Sequence, residues 1–313
     1  MKILLSRHTS VCYGIRRAVR LVSRKLKEAP RGAVVSYGDL FGSRAAMDEL
    51  KSKGLRVLDG IESIKNLSGE ETVVLPVWGA AIEVMDVLRA RKMRILNTTC
   101  PRDALTHKLA YRLAREGYGV IIVGDQGTTP AEALMSRVLK GRREQMEGLG
   151  EGEKRAFAGA VVDGLCGKEP DLRQVPEDVS HVAIIAQANV SMEAYGAVVS
   201  KAAVRFDEVR AYNTVCRSIA ARFKEAVRMA SSCDLLLIVG DENTETREMK
   251  YLCLRSGKTE VRLVTDAGDL PLGGENRQKA IGVVSSTSTP DWVLVKVVEE
   301  LRRDCEAQVE ESF

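Results

Sequence analysis

Read for its apolar and polar positions, the chain repeats itself. Three short aliphatic runs end in Gly-Asp: Val34 to Gly38-Asp39, Val120 to Gly124-Asp125 and Leu235 to Gly240-Asp241. Such a run, bounded by turn residues, is the pattern of a strand buried in a parallel sheet. Ahead of each run lies a stretch with apolar residues at helical spacing. These are Ile15, Ala18, Val19 and Val22, then Leu105, Leu109 and Leu113, then Ile219, Phe223, Val227 and Ala230. Basic residues fill the opposite face, so each stretch is predicted to be an amphipathic helix. A second strand follows in each repeat, at Thr72 to Val77, Val182 to Ala186 and Ile281 to Val284. The first two repeats close with a further strand, Met93 to Leu96 and Val209 to Tyr212, and Lys2 to Leu5 plays that part before the first helix.

This order of elements predicts an α/β protein of three pseudo-repeated βαβ-type modules. Their expected limits are residues 1–95, 96–208 and 209–283, with the C-terminal segment 284–313 completing the first module. A closing helix is expected from Pro290 to Cys305. The second module is longer by a charged, Gly-rich stretch from Gly141 to Arg155, expected to be a solvated excursion.

Composition removes several classes of function. With 45% hydrophobic and 29% charged residues in 313, the chain can bury substantial cores. Lys and Arg number 47 against 43 Asp and Glu, a surplus too small to make nucleic acid a main partner. No apolar run approaches the roughly 18 residues of a membrane span. The apolar start turns polar at Ser6, Arg7 and His8, too early for a secretion signal, so a cytoplasmic location is expected.

Seven cysteines in such a chain are candidates for metal ligation or catalysis rather than a disulfide framework, and no CxxC pair is present. Cys12, Cys100 and Cys216 share one setting: each precedes one of the predicted helices, and each stands 26, 24 and 24 residues before the Gly of the following Gly-Asp. One cysteine at a strand end is ordinary packing; three at equivalent places are not. At a helix N-terminus a thiolate is favoured. Three converging thiolates suit an iron-sulfur cluster with one iron free of protein ligands, or zinc with an open fourth position. Cys166, Cys233, Cys253 and Cys305 lack the pattern.

These segments resemble the family of 4-hydroxy-3-methylbut-2-enyl diphosphate reductase over nearly the whole chain. The likeness is carried by Cys12-Tyr13-Gly14-Ile15-Arg16-Arg17-Ala18, Thr99-Cys100-Pro101 with His107 following, Asn213-Thr214-Val215-Cys216, and Ser288-Thr289-Pro290-Asp291-Trp292. The resemblance implies a three-lobed trefoil around a central [4Fe-4S] cluster held by Cys12, Cys100 and Cys216. It also implies reductive removal of a hydroxyl bound at the open iron, with electrons from a ferredoxin or flavodoxin.

The family's diphosphate-binding and proton-donating motifs are altered here. Its first His-Asn pair corresponds to Gly42-Ser43, its Ala-His-Gly to Val77-Trp78-Gly79, and its His-Pro-Glu to Thr128-Thr129-Pro130. Its Gln-Thr-Thr reads Gln187-Ala188-Asn189, and its Ser-Ser-Asn reads Thr244-Glu245-Thr246; Ser288 is retained. Loss of imidazoles and gain of Trp78 and Glu245 remove donors to a polyanion and add a like charge. The expected substrate is therefore a different small molecule, less anionic and with an apolar portion facing Trp78. Candidate substrate contacts are Ser43, Trp78, Thr128, Thr129, Asn189, Asn243, Thr244 and Ser288, and candidate acids are Asp125, Glu132 and Glu245, with Asp39 and Asp241 at equivalent turns. Two other readings stay open. One is a cluster acting as a non-redox Lewis acid in dehydration or sulfur transfer; the other is a degenerate homologue serving as a sensor or protein-binding scaffold.

Overall fold

The computed structural model describes residues 2–9, 11–147, 157–257, 259–271, 280–305 and 308–311. The chain opens with β1 (Lys2–Leu5) and α1 (Tyr13–Glu28). It continues through β2 (Val34–Tyr37), α2 (Arg44–Ser52), β3 (Arg56–Leu58), α3 (Ile61–Ile64), β4 (Thr72–Leu75), α4 (Ile82–Ala90) and β5 (Arg94–Asn97). Next come α5 (Pro101–Arg115), β6 (Gly119–Val123), α6 (Thr129–Glu147), β7 (Gly159–Val162), β8 (His181–Ala186), α7 (Met192–Arg205) and β9 (Glu208–Ala211). The last part holds α8 (Arg217–Ala230), β10 (Leu235–Val239), α9 (Thr244–Ser256), β11 (Glu260–Val264), β12 (Ala280–Ser285), α10 (Asp291–Cys305) and β13 (Gln308–Glu311).

The strands form three all-parallel sheets, ordered β3-β2-β4-β5, β7-β6-β8-β9 and β11-β10-β12-β1-β13. One order recurs: an edge strand, the Gly-Asp strand, the second predicted strand, then the strand that leads to a cysteine. The chain divides into two compact units. One comprises Met1–Arg17, Phe41–Lys53 and Arg217–Phe313 and contains the third sheet; the other comprises Ala18–Leu40 and Gly54–Cys216 and contains the first two.

Here the strand pairing corrects the expected modules. Lys2–Leu5 and the C-terminal segment do not complete the first sheet; β1 pairs with β12, Ile3 opposite Ile281, and β13 pairs with β1. The reason is the recurring order itself. The strand after β12 in sheet position has to come from elsewhere, because the chain makes no fourth strand of its own there before β13. Ile3 and Leu4 are buried in that place, and the backbone groups of β12 find partners on both sides.

Of the edge strands, β5 and β9 were expected, while β3, β7, β11 and β13 were absent from the expectation. These four are short, and β3 and β11 mix charged with apolar residues, as in Glu260-Val261-Arg262-Leu263-Val264, which blunts an edge but weakens its signal in sequence; β7, Gly159-Ala160-Val161-Val162, carries no charge. Of the central strands, β6 and β10 are continuous apolar runs buried throughout.

Two helical expectations are also corrected. On α5 the buried face is Thr106, His107, Ala110, Leu113 and Ala114, while Leu105 is 65% exposed. The face is rotated because small residues and the imidazole, not the leucines alone, pack inward. The stretch from Gly141 does not leave the fold at once: residues 141–147 continue α6. Arg142 is buried there, donating to the carbonyls of Gly117 at 3.2 Å and Tyr118 at 2.8 Å. At Gly141 an added Cβ would stand 2.3 Å from the Tyr111 carbonyl, so this glycine lets α6 lie against α5. The remainder of that stretch, 148–155, lies outside the described residues.

Candidate metal centre

The three cysteine turns are built alike. The amide of Cys12 donates to the carbonyl of Thr287 at 3.1 Å, that of Cys100 to Val77 at 2.7 Å, and that of Cys216 to Ala188 at 2.9 Å. Each acceptor lies two residues beyond the end of the strand in the third position of its repeat, β12, β4 or β8. The glycines match too: Gly38, Gly124 and Gly240 donate to the last residue of the edge strand, Leu58, Val162 and Val264, at 3.1, 3.1 and 2.9 Å. Thr98 and Thr214, two residues before their cysteines, donate to the final carbonyls of β4 and β8, Leu75 and Ala186. Ser10, their counterpart in the first repeat, lies outside the described residues. Each cysteine thus sits at the carboxyl end of a parallel sheet and directly before a helix, where open α/β folds collect ligands.

All three are half-buried. Burial pushes the Cys100 thiol up, and the Asp103 carboxylate adds to that; the backbone amides of Arg102 and Asp103, at the start of α5, pull it down. Cys216 lies near enough to contribute a further upward push. Asp103 is raised to about 6, chiefly by burial, with a hydrogen bond from Cys100 opposing. Sequence reasoning passed over Asp103, although an acid in the first turn of a helix three residues after a ligand candidate is a usable signal.

In the unit that contains Cys12, a buried polar network underlies the turn. Glu225 accepts from Ser6 Oγ at 2.6 Å, from the Arg7 amide at 2.9 Å and from the His8 amide at 3.3 Å. Arg222 donates to the carbonyls of His8 and Ser285. Glu245 is buried, and both its oxygens serve Thr287, one receiving the amide at 2.8 Å and the other the hydroxyl at 2.6 Å. Thr287 is the residue whose carbonyl holds the Cys12 amide. Burial raises the Glu245 carboxyl, and the Thr287 hydroxyl and Arg222 oppose the rise.

Asn243 caps α9 and, with Thr246, forms a reciprocal capping box. Its amide nitrogen reaches the Gly42 carbonyl at 3.5 Å, which Ser288 Oγ also approaches at 3.2 Å; Ser43 beside it caps α2. Thr244 is buried on the first turn of α9. Asp241 receives the amide and the Nε of Arg44 at 2.9 and 2.8 Å. The structure therefore gathers Ser43, Asn243 and Ser288 around Gly42.

In the other unit, Trp78 follows the residue that holds the Cys100 amide. Its indole Nε1 is buried and has no hydrogen-bond partner among the described residues. Gly79, at φ +87°, packs so closely that a Cβ would stand 2.5 Å from His107 Cε1. Burial first, and the Arg137 guanidinium second, hold His107 down at about 4, while a hydrogen bond with the Trp78 backbone works the other way. Arg137 donates to Ser136 Oγ at 2.9 Å and to the Ala80 carbonyl at 3.0 Å.

Thr128 donates to the Asp125 carbonyl at 2.7 Å and accepts from Gln187 Nε2 at 3.1 Å, and Gln187 Oε1 accepts the Asp125 amide at 2.8 Å. Thr129 opens α6, Asn189 is half-buried in the turn after β8, and Glu132 is exposed. Thr128 and Asp125 thus share one turn with Gln187.

The residues present fit a cluster by their chemistry. Three half-buried thiols occupy equivalent helix starts, and the Cys100 sulfur receives two backbone amides. Among the described residues no group of three or more His, Cys, Asp or Glu is gathered tightly enough to hold a metal ion. No helix of the described residues is long and apolar enough to cross a membrane.

The family model of the LytB protein matches residues 3–302. The chain belongs to the LytB family. The 4-hydroxy-3-methylbut-2-enyl diphosphate reductase of Aquifex aeolicus is 27% identical over 313 residues, covering 99% of each chain. That of Anaeromyxobacter sp. (strain K) is 28% identical over 303 residues, covering 96% of this LytB-family chain and 99% of its own. Among solved structures, one of (E)-4-hydroxy-3-methyl-but-2-enyl diphosphate reductase aligns with a TM-score of 0.67 at 24% identity, covering 96% of this chain and 99% of that one. The E-1-hydroxy-2-methyl-but-2-enyl-4-diphosphate reductase of Plasmodium falciparum aligns at 0.80 and 16% identity, covering 99% and 92%. The α/β fold of parallel sheets is therefore that of the family.

Proposed function

We propose that this LytB-family chain is a reductase that uses a [4Fe-4S] cluster held by Cys12, Cys100 and Cys216. The observation that carries the reading is the threefold repetition of the cysteine turn, down to the amide bond that ties each cysteine to its sheet. When bound, the cluster supplies electrons and a Lewis-acidic site for an oxygen ligand. The net reaction is R–OH + 2 e⁻ + 2 H⁺ → R–H + H₂O, with a ferredoxin or flavodoxin as the electron source.

The relatives are named for a diphosphate substrate; the substrate here is a small hydroxylated molecule of lower negative charge. His107 stays neutral at pH 7 and is occupied with the Trp78 backbone, so it adds no cation for a polyanion. Trp78 offers one buried indole N–H, suited to a single acceptor atom with an apolar body beside it. Asn189, Thr128 and Thr129 in one unit, and Ser43, Asn243, Thr244 and Ser288 in the other, supply neutral hydrogen bonds. Asp125 and Glu132 are the candidate proton donors. Glu245 acts differently: with both oxygens committed to Thr287, it braces the residue that receives the Cys12 amide.

Anaerobic purification tests the reading. A brown protein with about four irons per chain is expected. Cys12→Ser, Cys100→Ser and Cys216→Ser should each lower iron content, whereas Cys166→Ser should not. Equal iron in all four, or a colourless zinc protein, overturns the assignment. The relatives' diphosphate should not be reduced at an appreciable rate, and turnover of any substrate without a reductant would move the chemistry to Lewis-acid catalysis.

A further inference from the structure

The three helices that follow the cysteines are charged unlike the other helices of the chain. α1 has six basic residues and one acidic, a net +5; α5 and α8 each carry net +3, against +4 for the entire protein. The remaining helices of nine or more residues, α2, α4, α6, α7, α9 and α10, lie between −1 and +1. Solvent-facing helices are ordinarily charged, but with both signs; here the imbalance falls on the helices that directly follow Cys12, Cys100 and Cys216.

On α1 the charges form one stripe. Ile15, Ala18 and Val22 are buried, while Arg16, Arg20, Arg24 and Lys27 are exposed at helical spacing along the opposite side. The stripe begins at Tyr13, 73% exposed and adjacent in sequence to Cys12. Neighbours four apart carry like charges, an arrangement that works against the helix and is relieved only at its end, where Arg24 meets Glu28 at 3.7 Å.

Length excludes a small ligand as the reason for this stripe. Arg24 and Lys27 lie about 18 and 22 Å along the helix axis from Cys12 at 1.5 Å per residue. That is more than two screening lengths of about 8 Å at physiological salt, too far to act on a molecule at the cysteine. A partner large enough to lie along the helix is required. The apolar side of α1 is turned inward, which leaves little to insert into a lipid surface. An exposed aromatic beside a stripe of arginines is the composition of a protein-binding patch.

We propose that the exposed face of α1, from Tyr13 to Lys27, is the docking surface for an acidic one-electron carrier protein. This rests on the reading that Cys12 holds the electron-accepting cluster. Docking places the carrier against the helix whose first residue adjoins that ligand. Each encounter oxidises the carrier by one electron and reduces the cluster by one, and two encounters supply one substrate turnover. Charge complementarity accelerates association and sets orientation, and it weakens as salt rises.

The test uses full-length protein purified anaerobically, with a plant-type [2Fe-2S] ferredoxin and a flavodoxin as acidic probes. Arg16→Glu/Arg20→Glu/Arg24→Glu should weaken carrier binding by about 30-fold at 0.05 M salt and by only about threefold at 0.5 M. The corresponding triple Gln variant should lose about fivefold, guarding against a folding defect, which a thermal melt also checks. Reduction by methyl viologen radical, which needs no docking, should be unchanged in both. Equal carrier binding by wild type and the Glu variant overturns the proposal. So does failure of both carriers to bind, or binding of duplex DNA or anionic vesicles in preference to the carriers through the same arginines. If the protein contains no iron and viologen reduces nothing, the cluster assignment falls, while the binding measurements still decide whether α1 docks an acidic carrier.

Discussion

Gly79→Ala should destabilise the protein well beyond an ordinary glycine replacement, because two separate costs fall on this residue. Its φ of +87° lies in the left-handed region, where a residue with a Cβ is disfavoured by about 1–2 kcal/mol. The new methyl would also stand 2.5 Å from His107 Cε1, 3.4 Å from Nδ1 and 3.5 Å from Thr99 Cγ2. His107 is 8% exposed and bonded to the Trp78 backbone, so it cannot swing away freely; overpacking of this sort costs about 1–3 kcal/mol. The expected total is about 2–5 kcal/mol, read from urea unfolding at pH 7 with an unchanged slope. Gly69→Ala is the control: φ there is +101°, but nothing lies within 4 Å of the added carbon, so only the backbone cost applies. Adding His107→Ala should make the Gly79 substitution cheaper by removing the overlap, a coupling visible in a double-mutant cycle. Equal losses for Gly79→Ala and Gly69→Ala, or additive behaviour with His107→Ala, would refute the claim that His107 makes residue 79 a glycine.

His107 also predicts a pH dependence. Its folded value of about 4 lies below the ordinary 6.5, so the unfolded chain takes up a proton first as pH falls. The stability it contributes is fully present above 6.5 and is lost progressively down to about 4, by about 3 kcal/mol in all. His107→Gln should flatten that part of the profile, and an identical slope in both proteins contradicts it. Glu225→Ala should cost about 3 kcal/mol or more by urea unfolding, because Ser6 and two backbone amides lose a buried acceptor; a change within about 0.5 kcal/mol would mean that water replaces it without loss. Trp78→Phe deletes a buried donor that has no partner, so ligand-free protein should be stabilised by about 1 kcal/mol while affinity for substrate falls. A lower melting temperature for the Phe variant would show that the indole N–H is satisfied after all.

The parts of this molecule that were legible in the sequence are those with a local signature. β6 and β10 are continuous apolar runs and β2 is one broken only by Ser36; each is closed by glycine, and all three emerge inside their sheets. α1 and α8 carry their apolar positions at helical spacing; Ile15, Ala18 and Val22 on the one and Ile219, Phe223 and Ala230 on the other are buried as expected, while Val19 and Val227 are half-buried. The edge strands β3, β7, β11 and β13 escaped because a strand with one open side needs few apolar residues, whereas the edge strands β5 and β9 were found from their place before a cysteine. The true inner face of α5 escaped because His107 and Thr106 are polar residues whose burial depends on what they meet: the Gly79 turn for the one, the Arg102 carbonyl for the other. Gly79 itself reads as a plain turn glycine until the imidazole beside it is known.

The sequence by itself determined that three cysteines stand in one repeated setting, since the spacing from each to the next glycine is a property of the chain alone. It likewise determined the charge bias of the helices that follow them. Only the tertiary structure decided that the N-terminal strand completes the third sheet, that Glu245 is held by Thr287 rather than open to a ligand, and that Glu225 gathers Ser6, Arg7 and His8. Each of these depends on partners more than 40 residues away in sequence. Strand pairing and buried hydrogen bonds are chosen by which groups are left without water when the sheets close, and that is settled across the fold rather than along the chain.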